Sequence, residues 1–138
     1  MKIQRRQLLR MAAGGVALPV ASCATSLGQG ASGNTIKVVE RTHYFAKPGM
    51  AGEVLAVRRK ASAVRVSIGL PAGEIFVKHP RGDGSEPDVA WQCTFADEAI
   101  READLKARAA SPDFESIRLE MRKLYARFER QVYTIAAL

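Results

Sequence analysis

The stretch Ile36-Lys37-Val38-Val39-Glu40-Arg41-Thr42-His43-Tyr44-Phe45, followed by Ala46-Lys47-Pro48-Gly49, decides the fold. Polar and apolar groups alternate through Phe45, and the apolar ones are mostly β-branched or aromatic, which predicts a half-buried strand ended by Lys47-Pro48-Gly49. From Met50 the pattern changes period. Met50, Val54, Val57, Ala61 and Val64 fall at i, i+4, i+7, i+11 and i+14, the stripe of an amphipathic helix. Gly69 and Pro71 stop that helix, with the β-branched run Val64 to Ile68 leaving its end loosely defined.

Downstream, Glu74 to Lys78 and Val89 to Phe95 read as short strands. The segment between them, His79 to Pro87, is dense in turn formers and reads as a hairpin loop. Its Arg81-Gly82-Asp83 tripeptide is a chance match to an integrin motif. Asp97 and Glu98 suit a helix start, and that helix runs to about Ala110. Ser111-Pro112-Asp113 marks a second N-terminus, with Ser as cap and Pro at the first helical position. Phe114, Ile117, Met121 and Leu124 form its buried face. Arg127 to Ile135 closes the chain as a strand. The order β-α-β-β-α-β, with a broken second helix, is the ferredoxin-like split pattern: an α+β domain with a four-stranded antiparallel sheet.

Upstream, Gln4-Arg5-Arg6-Gln7-Leu8-Leu9-Arg10 precedes a glycine-diluted apolar run, Met11 to Ala21. Arg5 and Arg6 with the run behind them resemble a bacterial twin-arginine export signal. The run is about half of the ~20 residues that a membrane-spanning helix needs. Val20-Ala21-Ser22-Cys23 resembles a lipobox, whose cysteine is lipidated, while Ser22-Cys23-Ala24 also suits cleavage to a soluble product. The expected organisation is a signal with a lipobox over 1–23, a flexible Gly/Ser-rich tether over 24–35 and one domain over 36–138. The expected location is the periplasm or cell envelope, with membrane contact only through a lipid on Cys23.

The formal charge of +7 owes four units to Lys2, Arg5, Arg6 and Arg10, so removal of residues 1–22 leaves +3. No basic run with interleaved aromatics argues for nucleic acid, and Arg58-Arg59-Lys60 reads as the solvated side of the helix. Once Cys23 is lipidated or removed, Cys93 has no disulfide partner. The 116 residues that follow the signal suit one core.

Val39-Glu40, Tyr44, Lys47-Pro48-Gly49, the helix break at Ser111-Pro112 with Phe114, and a last strand ending in Tyr133 together resemble the dimeric α/β-barrel proteins, and within them the NIPSNAP branch. The resemblance spans residues 36 to 135. It implies a homodimer whose two sheets pack face to face, with a pocket in each subunit. Two helices cover one face of a four-stranded sheet, so the other face must find apolar cover or face water, and apolar cover by a second copy agrees with that implication. This chain departs from the branch at Thr42, where Arg is expected, so no anion-binding role passes to that position.

Glu40 and Tyr44 share a strand face with Thr42 and match the branch. A carboxylate and a phenol in an apolar pocket can serve as general base and hydrogen-bond donor, with His79 as a third candidate, or as a structural polar pair. Thr42, Trp91 and Tyr133 are the expected ligand-pocket residues, Trp91 serving either as core or as pocket wall. Cys93 reads as a small buried group. His43 and His79 lack Cys, Asp or Glu neighbours at ligand spacing, so neither a metal nor another cofactor is expected, and neither lies on a helix that could supply an axial haem ligand. Phosphate loop, nucleophile elbow and Cys-x-x-Cys are all missing from the sequence. The leading expectation is a non-catalytic envelope module that binds a small apolar molecule or an envelope protein. The competing one is a cofactor-independent monooxygenase or isomerase that uses Glu40 and Tyr44.

Overall fold

The computed structural model describes residues 36–136. Arg5, Arg6, the lipobox at Cys23 and the tether over 24–35 lie outside them. The described elements run β1 (Val38–Ala46), α1 (Ala51–Ser67), β2 (Glu74–Val77), β3 (Val89–Phe95), α2 (Glu98–Ala109), α3 (Pro112–Arg122) and β4 (Tyr125–Thr134). The four strands form one antiparallel sheet in the order β2-β3-β1-β4. The break at Ser111 is real: α2 and α3 are separate helices.

Each boundary has a local cause. Asp97 caps α2 by accepting from the Ile100 N–H at 2.8 Å, and Ser111 caps α3 by accepting from the Phe114 N–H at 3.2 Å, with Pro112 opening the helix. Gly49, at φ 79°, makes the turn between β1 and α1 in a conformation that side chains resist. The last strand starts two residues before the predicted Arg127. A register shift at Phe45/Ala46 lets Tyr125 pair with Ala46, and Lys47 donates to the Leu124 carbonyl at 2.9 Å.

Strand alternation sets the two faces of the sheet. Val38, Glu40, Thr42 and Tyr44 on β1, with Val89, Trp91, Cys93 and Phe95 on β3, are buried under the helices. One core cluster joins Tyr44, Val54, Val57, Val89 and Met121; a second joins Trp91, Cys93 and Phe95. Fully burying a side chain such as Val54 contributes about 1.5–3 kcal/mol. Trp91 is further fixed by donating its indole N–H to the Ala72 carbonyl at 2.8 Å. A Cβ on Gly73, which has φ 72°, would collide with that indole and lie 2.7 Å from the Gln92 carbonyl oxygen. The opposite face carries Arg41, His43, Phe76, Ala90, Gln92 and Tyr133 and has no helix over it among the described elements.

Candidate functional site

Helix α1 turns two cations inward. Its buried residues are Val54, Val57, Arg58, Ala61 and Arg65. Of the triplet read as solvated, only Arg59 and Lys60 are exposed, whereas Arg58 keeps 4% of its surface. Arg58 follows Val54 by four residues, which places it on the apolar stripe rather than beside it. Its guanidinium sits 4.9 Å from the centre of the Trp91 ring, and that of Arg65 sits 4.7 Å away.

Arg65 is fully satisfied by comparison. It donates to the Pro71 carbonyl at 2.7 Å and to the two Asp104 carboxylate oxygens at 3.1 and 2.5 Å. Asp104 also lies 2.7 Å from Arg108 Nε, a charge contact whose N–H is off the oxygen's axis, so that Nε makes no hydrogen bond. Beside this pair Cys93 packs 3.9 Å from Arg65, and burial pushes its thiol pKa up.

Glu40 is the other fully buried carboxylate. Arg101 Nε lies 3.1 Å from one of its oxygens, while Arg108 Nη2 and Arg130 Nε lie 3.3 and 3.5 Å from the other. A carboxylate with three guanidinium neighbours binds β1 to α2 and β4, which is a clamp between elements. Glu40 was a candidate base beside Tyr44; the structure puts both on the helix-covered face but turns the carboxylate to the arginines. Only Tyr44 lines the cavity next to them.

That cavity, of about 300 Å³, opens between the sheet and helices α1 and α3. Phe114, Ile117 and Met121 form one wall, and Tyr44, Tyr125 and Phe128 form another with ring centres 5.3 to 6.1 Å apart. Thr42, Trp91, Arg58, Arg108, Arg118, Arg122 and Arg130 complete it, so among the described residues it is lined by arginines without a carboxylate, histidine or cysteine. Arg58 finds only the Tyr44 hydroxyl at 3.5 Å and Ser62 at 3.4 Å. Thr42 Oγ1 and Arg58 Nε are buried with no hydrogen-bond partner among the described residues. Burial pushes the Arg58 guanidinium below its ordinary pKa, with Tyr44 opposing the shift in part.

Two expected site residues lie elsewhere. His79 is exposed and lines a separate concavity with Arg41, His43, Phe76 and Ala90, on the far side of the sheet from Glu40 and Tyr44. Tyr133 pairs with Val39, and strand alternation turns it to that same uncovered face, away from Thr42 and Trp91. His43 also faces that side, 3.8 Å from Glu129. No group of three or more potential metal ligands occurs among the described residues. The arginines are what sequence reading missed. Arg58 and Arg65 occupy the buried stripe of α1 at i+4 and i+11 from Val54, and Arg101, Asp104 and Arg108 share one face of α2, so the signal was a cation row at core spacing.

No family profile matches the chain, and no curated protein does. Solved structures do. A NIPSNAP family protein from Agrobacterium tumefaciens superposes with a TM-score of 0.58 at 16% identity, over 74% of this chain and 88% of its own. The chain has the ferredoxin-like fold. A dimeric ferredoxin-like protein of unknown function from Bacteroides fragilis matches at TM-score 0.55 and 13% identity, over 72% of this chain and 96% of its own. A putative antibiotic biosynthesis monooxygenase from Bacteroides thetaiotaomicron matches at 0.50 and 15%, over 74% and 90%.

Proposed function

We propose that the protein is an exported, homodimeric binding module that holds a small molecule between its sheet and helices α1 and α3, without catalysis. The observation that carries this reading is the cavity itself: three of its lining residues, Thr42, Arg58 and Arg108, hold a buried polar atom without a hydrogen-bond partner among the described residues, while the one carboxylate that could act as a base beside Tyr44 is held by three arginines. Buried polar atoms are normally partnered, and an arriving ligand is one way in which those at the edge of a cavity become so. Export rests on the Arg5-Arg6 signal, and anchoring on lipidation of Cys23. Dimerisation is supported by Phe76 and Tyr133, which leave 45% and 47% of their surface exposed on the helix-free side. The B. fragilis neighbour is described as dimeric.

The enzyme reading keeps one supporting observation, that Tyr44 lines the cavity. A phenol without an adjacent base is an incomplete acid–base pair. The test is a native mass spectrum of the Cys23→Ala protein exported through its own signal. The binding reading expects a dimer with a non-covalent adduct of fixed mass. A monomer would overturn the dimer, and an adduct that turns over to a second mass on incubation would favour the enzyme.

A further inference from the structure

We propose that the ligand is an amphipathic anion, a carboxylate on an aromatic or short apolar body, whose charged end meets Arg58 and Thr42. This rests on the cavity being the binding site and goes further by assigning the chemistry of its occupant. Arg58 is a buried cation with no carboxylate paired to it among the described residues, unlike Arg65 and Arg108, which share Asp104. An unpaired buried charge is costly, and an arriving anion removes that cost. Thr42 lies within the same corner: it pairs across the sheet with Trp91, over which Arg58 sits, and on its other side with Arg130. Its hydroxyl has no hydrogen-bond partner among the described residues and can donate there. Thr42 is therefore flanked by arginines from α1 and β4.

Beyond that corner the cavity joins an apolar and aromatic wall to the further cations Arg108, Arg118 and Arg122. Phe114, Ile117 and Met121 face Tyr44, Tyr125 and Phe128 across a space of about 300 Å³, enough for a ring with a short chain and more than a bare inorganic anion fills. A neutral apolar molecule would leave Arg58 Nε and Thr42 Oγ1 unpaired, and a small polar anion would leave the aromatic walls wet.

The experiment is calorimetric titration of the full-chain dimer with 3-phenylpropanoate, 3-phenylpropanamide and acetate. The carboxylate is expected to bind about tenfold or more tighter than the amide, the difference that one charge-assisted hydrogen bond supplies, and acetate weaker than either. Arg58→Met should abolish the preference for carboxylate over amide. Because Arg58 is buried, Arg130→Met is titrated in parallel, and this half-exposed residue should lower the preference severalfold in a folded protein. Equal binding of carboxylate and amide by the unmodified protein would overturn the anion assignment and leave the cavity as the binding site. Failure of all three probes would overturn the assigned ligand class, and the adduct in the native mass spectrum would then still decide whether the cavity binds anything.

Discussion

Glu40→Gln separates a structural carboxylate from a catalytic one. The substitution keeps the shape and removes the charge from a group with 0% exposure, opposite Arg101, Arg108 and Arg130. Removing one partner of a buried ion pair costs about 3–5 kcal/mol. Two features lower that figure here. Arg101 keeps Glu98 at 2.6 Å and Arg108 keeps Asp104 at 2.7 Å, while the Arg130 side chain is 44% exposed and its share is screened. The expected loss is therefore about 2–3 kcal/mol, which in a domain of this size lowers Tm by roughly 10–20 °C. Urea unfolding followed by the fluorescence of Trp91, the chain's single tryptophan, reads it directly, at fixed protomer concentration so that the proposed dimer does not enter the comparison. A loss below about 1 kcal/mol would refute the clamp, since buried charges with intact partners do not disappear so cheaply. Such a result would return Glu40 to the list of candidate bases.

Thr42→Val should leave the unliganded protein as stable or slightly more so, because the hydroxyl it removes has no partner among the described residues, while weakening 3-phenylpropanoate binding; a clear loss of urea stability would show that the hydroxyl is structural. Gly73→Ala should cost about 2–4 kcal/mol and shift the Trp91 emission, since φ is 72° and the new methyl meets the indole; unchanged emission and Tm would contradict the packing. Cys93 gives a pH dependence. Its folded pKa lies above the ordinary 9.0, so its contribution is complete below pH about 9 and is lost as pH rises through the folded value. Between about pH 8 and pH 10 the urea midpoint should fall further for the unmodified protein than for Cys93→Ala, and equal falls would remove the thiol from the explanation.

Much of this fold was legible because its signals are local. The alternation of Val38 to Phe45, the stripe from Val54 to Ala61 and the caps at Asp97 and Ser111 each act over a few residues and recur as the observed elements. Thr42 and Trp91 line the cavity because both lie on the face of their strands that the helices cover. His79 and Tyr133 lie apart from it, in a loop that has no alternation to orient it and on a strand whose register with Val39 turns Tyr133 to the other face. The arginines were hidden by the habit of reading cations as solvent-facing. Arg58, Arg65 and Arg108 are buried because Trp91, Asp104 and Glu40 lie opposite them, and those pairings join residues from different elements.

The central claim is that the helix-covered face binds a ligand while the opposite face meets a second copy. A crystal structure of the protein purified with whatever it carries tests both halves at once. Density is expected for a small molecule touching Thr42 and Arg58 under helix α3, with a two-fold partner packed on Phe76 and Tyr133. Density between the two sheets instead, beside His43 and His79, or a uncovered helix-free face would contradict it.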